Sequence, residues 1–258
     1  MRLDLYLYQN GFTKSRQKAK ALIESGCVLI NGVTVTKPSF EIDEATEASI
    51  EVNDSCPYVS RGGLKLEHII KNASISVAGC VCIDIGASTG GFTHCLLLNG
   101  AKRVFAVDSG TDQLDESLRQ DDRVVSLENY NARNMIFEDF GEEADIITID
   151  VSFISQTLIL PGACRLLKEN GYYLSLIKPQ FEAGKGNIGK NGIVKDTKAR
   201  LLAVNRVIDS AHCCGLACSY LSKSPIQGGD GNIEYVAVFS RHGVKLDDST
   251  IKRIVSEK

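Results

Sequence analysis

A glycine-rich turn after an apolar run has the clearest chemical meaning in this sequence. Asp84 ends the apolar run 80–84, and the spacing Asp-x-Gly-x-x-x-Gly-Gly leads from it into a helical pattern. Glycines at such a turn let the backbone approach a bound cofactor closely, and the spacing is not the Gly-x-Gly-x-x-Gly of dinucleotide sites. It therefore favours a cofactor without phosphates, such as the cationic S-adenosylmethionine, over a plain strand-to-helix turn. The predicted cofactor residues here are Asp84, Gly86, Ala87, Ser88, Thr89, Gly90, Gly91 and Phe92.

A second carboxylate supports a nucleoside cofactor. Asp108 ends the apolar run 103–107 and lies 22 residues beyond Gly86. In nucleoside-binding α/β folds, an acidic residue about 20 residues past the glycine turn accepts hydrogen bonds from ribose hydroxyls. A surface carboxylate at a strand end is the alternative. Together the two signals predict a methyl-donor site.

Three further ionisable residues fall at the ends of apolar runs. Asp150 follows the run 146–149, Lys178 follows 173–177, and Glu234 opens the last predicted strand. A lysine and an aspartate at neighbouring strand ends would be partly desolvated and would shift each other's pKa values. Each of the three could instead be structural or a plain surface charge.

The elements that must position these residues alternate between strands and helices. This alternation predicts an α/β domain with a Rossmann-like, mainly parallel seven-stranded sheet, whose ligands bind at the carboxyl ends of the strands. Helices are predicted notably at 92–99, 155–168 and 196–213. The predicted strands are 80–84, 103–107, 123–127, 145–150, 172–177, 216–221 and 233–239.

The first 55 residues have a different pattern. A helix capped by Thr13 is expected to expose basic side chains, and Asn31 and Gly32 give a strong hairpin signal. This order resembles the S4 RNA-binding domain, a small α+β module, and the resemblance implies phosphate contacts from Lys14, Arg16 and Lys18. We predict an S4-like domain at 1–55, a linker at 56–63 that contains Pro57, and a methyltransferase domain at 64–258.

Local charge is more informative than the net charge of −3. Residues 1–37 carry +4 and residues 165–206 carry +6, whereas residues 38–55 carry −6 and residues 103–145 carry −8. Basic patches of this kind can bind a polyanion even in an acidic chain, although solvated helix faces are the alternative. The basic, glycine-rich loop 182–195 adds Lys185 and Lys190 to the predicted RNA contacts, and a flexible surface loop without such contacts is the alternative.

Cysteine usage and hydropathy limit the protein's environment. Nine scattered cysteines without a Cys-x-x-Cys pair fit free thiols in a reducing cytoplasm, and no spacing predicts a metal site. No apolar run has the length of a membrane span or a signal peptide. We therefore expect a cytoplasmic protein without a membrane partner or a metal, and a monomer is assumed.

The chain resembles ribose 2′-O-methyltransferases of the FtsJ/RrmJ type, whose Lys-Asp-Lys-Glu tetrad is matched in order by Lys65, Asp150, Lys178 and Glu234. Segments 58–66, 84–91, 150–155 and 176–182 look like the TlyA subfamily, which is described as methylating cytidine 2′-hydroxyls of ribosomal RNA and is also known as haemolysins. The resemblance implies Lys178 as proton acceptor, positioned by Asp150 near the methyl donor. Lys65 would be the cation that lowers the pKa of Lys178, and Glu234 would orient Lys178 or the ribose.

Other functions fit the residues less well. A base N-methyltransferase would need an Asn/Asp-Pro-Pro-Tyr segment after strand four, and residues 150–153 do not have that sequence. A cytosine C5 enzyme would need a cysteine nucleophile at a strand end, whereas Cys164 lies in a predicted helix. A nicotinamide oxidoreductase would need the Gly-x-Gly-x-x-Gly fingerprint at the turn after a strand, and the turn 86–91 does not have that spacing. A non-catalytic ribosome-binding factor and a membrane-active haemolysin are the alternatives from other classes. The binding factor would not need the tetrad, and a haemolysin is expected to show an export signal or a membrane-active amphipathic stretch, neither of which is found.

Overall fold

The structure is a computed structural model that describes residues 1–13, 15–24, 26–42, 49–52, 56–189, 192–226, 228 and 231–257. Backbone contacts divide the chain into two compact units, Met1–Arg61 and Gly62–Lys258. Within the described residues, no helix is both long and apolar enough to cross a membrane.

The first unit packs two helices against a small antiparallel sheet of order β2-β1-β3. Its core is formed by apolar side chains of both helices and β1, among them Leu3, Leu7 and Ile23. Ser15, and not Thr13 as expected, caps the second helix, because its hydroxyl accepts a hydrogen bond from the Lys18 amide at 3.1 Å. The elements are α1 (Leu3–Gln9), α2 (Arg16–Glu24), β1 (Val28–Ile30), β2 (Val33–Thr34) and β3 (Ile50–Val52).

The second unit is built on a seven-stranded sheet of order β6-β5-β4-β7-β8-β10-β9. The pairs that join β6, β5, β4, β7 and β8 are parallel, and β10 is antiparallel to both of its neighbours. The strand order reverses at β4, so the cleft between β4 and β7 is a topological switch point, where ligands of such sheets bind. The strands are β4 (Val81–Ile85), β5 (Arg103–Val107), β6 (Val124–Leu127), β7 (Ala144–Ile149), β8 (Leu167–Ile177), β9 (Ala217–Lys223) and β10 (Tyr235–Ser240).

Helices complete the second unit. Three of them, α6, α8 and α9, share one apolar core with alternate strand residues such as Ile83 and Ile147, while α3 packs against α4. The apolar strand runs and their alternation therefore place the sheet in the interior. The helices are α3 (Gly62–Asn72), α4 (Gly91–Leu98), α5 (Glu116–Arg119), α6 (Leu160–Leu166), α7 (Pro179–Glu182), α8 (Thr197–Cys213) and α9 (Asp248–Ser256).

The segment after β7 differs from the predicted helix at 155–168. A single 3-10 turn, Gln156–Leu158, precedes the short α6, and β8 already begins at Leu167. Leu167 pairs with Ala144 and Tyr172 with Ile146, so the register shifts within β8 at residues 168–171. The helical periodicity of residues 155–168 thus did not predict that β8 begins at Leu167.

Candidate active site

The glycine turn holds its backbone against the end of the neighbouring strand. Gly86 has φ of 83°, and its amide donates to the Val107 carbonyl at 2.8 Å. A Cβ atom at Gly86 would lie 2.4 Å from the Asp150 carbonyl oxygen, so only glycine permits this approach of the two strand ends. The glycine at position 86 is therefore required by the neighbouring strand end, and the close approach to a cofactor stays a prediction.

Asp108 is fixed by the same turn. Its Oδ2 accepts the Ser88 amide at 2.8 Å and its Oδ1 accepts the Gly110 amide at 2.7 Å. A carboxylate has about four acceptor positions, so Asp108 can still accept hydroxyl groups. It is thereby oriented for a ligand with a vicinal diol.

A cavity of about 370 Å³ opens beside these residues at the carboxyl edge of the sheet. This volume lies in the range of small-molecule sites, roughly 300–1,000 Å³. Tyr130 lines it, and burial together with a hydrogen bond to Asp139 raises the pKa of that phenol to about 12. This cavity fits a nucleoside-type cofactor. The carboxylate of Asp108 is already oriented, the glycine turn leaves room for close approach of a ligand to the backbone, and several of the walls are apolar. The residues that line this cavity include Gly86, Ser88, Asp108, Tyr130, Asn131 and Asp150.

The rest of the predicted cofactor set does not line this cavity. Asp84 is fully buried, because it alternates with core residues Ile83 and Ile85 and points to the opposite face of the sheet. Its carboxylate accepts the hydroxyls of Thr93 at 2.7 Å and Thr148 at 2.8 Å, and burial raises its pKa to about 6. Asp84 therefore supports the turn from beneath, and its contact with a cationic cofactor group stays a prediction. Of the others, Thr89 is exposed, and the buried ones are Ala87, Gly90, Gly91 and Phe92.

Lys178 and Asp150 meet at the carboxyl ends of the neighbouring strands β8 and β7. Lys178 Nζ lies 2.5 Å from Asp150 Oδ1 and donates to Ser152 Oγ at 3.0 Å. The side chains remain 13% and 21% exposed, respectively, so the pair is shielded but reachable. Parallel register brings these two residues together, as expected from their positions at strand ends.

Lys65 and Glu234 form a separate and more deeply buried pair. Lys65 Nζ lies 2.6 Å from Glu234 Oε2, and the side chains are only 11% and 3% exposed. Lys65 comes from α3 and Glu234 from the residue before β10. Glu234 thus pairs with Lys65, whereas the sequence suggested that it orients Lys178 or the ribose.

A second cavity of about 560 Å³ lies on the other side of the same loop. Lys178 and Glu234 line it, and it shares residues 152–154 with the first cavity. Phe153 stands in the shared wall with 93% of its surface exposed and φ of 65°, and its ring lies 5.2 Å from that of Phe181. Strained backbone and a fully exposed aromatic ring are costly, and such features cluster at binding sites.

Several of these residues escaped individual prediction. Ser152 and Phe153 belong to the segment 150–155, which the sequence presents only as a family motif, and Tyr130 belongs to no predicted set. A phenylalanine in a polar loop directly after a catalytic-type strand end is the signal that could have identified Phe153.

In the first unit, the basic side chains are organised by a buried acid. Asp4 is 3% exposed and binds the guanidinium groups of Arg2 and Arg16, each at 3.0 Å. Hydrogen bonds from Arg2 and Arg16 lower the pKa of Asp4 despite its burial. Both arginines remain about half exposed, and Lys18 is exposed too. The predicted contacts Lys14 and Lys190 lie outside the described residues, and of Lys185 only the backbone is described.

Comparisons with known proteins agree with this architecture. Residues 58–241 match the FtsJ-like methyltransferase family and residues 1–47 match the S4 domain. Hemolysin A of Brachyspira hyodysenteriae is 46% identical over 93% of this chain and 99% of its own length. The 16S/23S rRNA (cytidine-2′-O)-methyltransferase TlyA of Mycobacterium tuberculosis is 40% identical over 91% of this chain and 87% of its own length. A solved Streptococcus thermophilus structure, provisionally assigned as a hemolysin, has a TM-score of 0.78 at 43% identity and covers 99% of this chain and 94% of its own.

These matches disfavour the alternative of a non-catalytic binding factor. The predicted α/β methyltransferase fold with an N-terminal S4 domain is confirmed. Among the described residues, no cluster of three histidine, cysteine or acidic side chains could hold a metal ion. The chain belongs to the FtsJ-like methyltransferase family, which takes its methyl group from S-adenosylmethionine, and it carries an S4 domain ahead of the catalytic unit.

Proposed function

We propose that the protein methylates a ribose 2′-hydroxyl, of cytidine, in ribosomal RNA. The observation that supports this most directly is the Lys178–Asp150 ion pair, which lies where the two cavities meet. One cavity fits the cofactor, and the other presents Lys178 to a second substrate. The cytidine and ribosomal specificity follows the TlyA relative, with which the alignment covers nearly the whole chain.

The first cavity has the groups that S-adenosylmethionine needs, and that cofactor supplies an electrophilic methyl group when it is bound. Asp108 would accept its ribose hydroxyls, while the backbone at Gly86 and Ser88 packs along the nucleoside. The turn contributes no side chain that would block this approach. The residues of the chain therefore bind and orient the donor without forming a bond to it.

The second cavity has the groups that a ribose acceptor needs. A hydroxyl becomes a good nucleophile only as its proton leaves, so a proton acceptor must lie within hydrogen-bond reach. Lys178 is positioned to take that proton, and Asp150 and Ser152 fix the direction of its Nζ atom. Holding donor and acceptor in one geometry can supply roughly 7–11 kcal/mol of the barrier reduction.

The S4 unit would bring this site to structured RNA. Arg2 and Arg16 are held in a fixed arrangement by Asp4, and guanidinium groups recognise phosphates through paired hydrogen bonds. We propose that the protein acts as a monomer on ribosomal RNA in the cytoplasm, where ribosomes are found.

The test uses ribosomal subunits from cells in which the gene has been deleted. The purified protein and labelled S-adenosylmethionine should produce a ribose methyl group on ribosomal RNA, located by 2′-O-methyl mapping. Lys178→Ala should lower the rate at least about 100-fold, because general-base catalysis contributes roughly 10²–10⁴-fold.

Lys102→Ala is the control, since Lys102 is an exposed lysine before β5, at the opposite edge of the sheet. It should retain the wild-type rate. Label on a base atom would show that the ribose assignment is wrong. A wild-type rate in Lys178→Ala would show that Lys178 is not the proton acceptor.

A further inference from the structure

Glu182 is a buried acid that the proposed chemistry does not use. It is 2% exposed and ends α7, the short helix that starts directly after Lys178. Its Oε2 accepts the Ser155 hydroxyl at 2.5 Å, and its Oε1 accepts the Gln156 amide at 2.8 Å. Both donors belong to the segment that follows β7, so Glu182 connects two loops that are far apart in sequence.

The loop 150–155 contributes to the lining of both cavities, and the turn 178–182 contributes to the lining of the second. The loop 150–155 begins with Asp150 and ends with Ser155, and the turn 178–182 begins with Lys178 and ends with Glu182. The loops are joined at the near end by the Lys178–Asp150 ion pair and at the far end by the Glu182 carboxylate. Between these two connections the rings of Phe153 and Phe181 meet at 5.2 Å.

A buried glutamine strengthens the far connection. Gln156 is 1% exposed, its amide nitrogen donates to the Leu176 carbonyl at 3.3 Å, and its amide oxygen accepts the Ser175 hydroxyl at 2.6 Å. Residues 175 and 176 lie in β8, just before Lys178. The segment after β7 is therefore fixed to the strand that positions Lys178.

We propose that Glu182 is a positioning residue for methyl transfer, which holds the loop 150–155 so that Asp150, Ser152 and Phe153 stay aligned with Lys178. This inference rests on the proposed function for its kinetic consequence. Phe153 has left-handed backbone and an exposed ring, so this part of the loop does not stabilise its own conformation, and it depends on the connections of the segment to the turn 178–182 and to β8.

The kinetic test compares Glu182→Ala and Glu182→Gln with the wild type on ribosomal subunits that lack the modification. A small misplacement of reacting groups can cost about 100-fold in rate. We expect kcat of Glu182→Ala to fall about tenfold or more, with the KM values for subunits and S-adenosylmethionine changed less than about threefold. Glu182→Gln keeps one acceptor for the Gln156 amide and should recover part of the loss.

Asp145→Asn is the matched control, because Asp145 makes a similar connection at the other end of β7. Its carboxylate accepts the Val81 amide at 2.9 Å and binds Lys168 Nζ at 2.8 Å. This variant should lose stability without losing kcat. If Glu182→Ala does not fold, Ser155→Ala removes the hydroxyl donor alone and should lower kcat in the same way.

A fluorescence test reads the loop directly. The chain contains no tryptophan, so Phe153→Trp introduces a single reporter at the tip of the loop. Adding Glu182→Ala to this variant should lower the tryptophan anisotropy, whereas adding Asp145→Asn should leave it unchanged.

The outcomes separate the two proposals. If the wild type methylates no RNA, the proposed function is wrong, and the anisotropy alone decides whether Glu182 orders the loop. If the wild type is active, a folded Glu182→Ala variant with kcat within about threefold of it contradicts the positioning role. Unchanged anisotropy contradicts it in either case.

Discussion

At the scale of residues, the tetrad consists of two ion pairs with different environments. Lys65 and Glu234 are 11% and 3% exposed, and Lys178 and Asp150 are 13% and 21% exposed beside two cavities. The buried pair is suited to holding α3 against the start of β10, with Glu234 also at the wall of the second cavity, and the more open pair is suited to contact with substrates. We therefore expect unequal roles for the four residues, which their order in the sequence does not distinguish.

The buried pair gives a prediction about stability. Glu234→Gln leaves the Lys65 ammonium in the interior without a counter-charge, and breaking such a pair costs on the order of 3–5 kcal/mol. Adding Lys65→Met removes the unpaired charge and should restore part of the loss. Urea unfolding of the wild type, both single variants and the double variant measures this coupling. Strictly additive losses in the double variant would contradict a direct interaction.

Asp84 gives a prediction about pH. Burial raises its pKa from the ordinary 3.8 to about 6, so the folded state favours the neutral acid. Below pH 3.8 the carboxyl group is neutral in both the folded and the unfolded state, so its charge does not affect stability. As the pH rises to about 6, the unfolded state loses the proton first, and the free energy of unfolding falls; above that pH this destabilisation is constant. Asp84→Asn stays neutral and can still bond Thr93 and Thr148. As the pH rises from 3.8 to about 6, the free energy of unfolding of the variant should therefore increase relative to that of the wild type by about 3 kcal/mol.

Urea unfolding of both proteins between pH 4 and 7.5 measures this difference. A difference that is independent of pH would show that Asp84 is not the group that titrates. The result also bears on the cofactor turn, because Asp84 links α4 to β7 directly beneath it.

At the scale of elements, the sequence predicts the strands better than the contacts between loops. Continuous apolar runs located β4, β5 and β7 to within a residue or two, since buried parallel strands must be apolar on both faces. Periodicity did not predict the early start of β8, which depends on pairing with Ala144. It could not pair Glu234 with Lys65 or Glu182 with Ser155 either, because such partners are set by side-chain directions in the folded chain.

The cofactor turn allows a prediction with a close control. Gly86→Ala would place a Cβ atom 2.4 Å from the Asp150 carbonyl oxygen, and the turn must move away from β7. We expect the affinity for S-adenosylmethionine to fall at least tenfold, a change of about 1.4 kcal/mol. Gly79→Ala introduces the same backbone strain at φ of 76° with no atom within 4 Å of its Cβ.

Isothermal titration calorimetry measures both affinities. Gly79→Ala should lose about 1–2 kcal/mol of stability from left-handed backbone, with unchanged cofactor affinity. Equal affinities for the two variants would mean that the close approach of Gly86 to Asp150 is unimportant for the cofactor.

At the scale of the whole molecule, the charges are segregated along the chain. Residues 1–37 carry +4 and residues 165–206 carry +6, and acidic segments balance them to a net charge of −3. Attraction to RNA depends on such local patches and falls with salt, because phosphate contacts release counterions. The salt dependence of binding therefore reports how many basic side chains contact phosphates.

Arg16→Ala tests the contribution of the S4 unit to that number. Arg16 is 51% exposed and is oriented by the buried Asp4, so its guanidinium is ready for a phosphate without a further loss of side-chain entropy. Removing one phosphate contact should weaken binding to ribosomal subunits and reduce the slope of log K against log salt by about 1. Arg103→Ala is the matched control, an arginine that is 48% exposed and paired with Glu142. Affinity for S-adenosylmethionine should not change in either variant, since neither arginine lines the cofactor cavity. An unchanged slope in Arg16→Ala would show that Arg16 does not contact RNA.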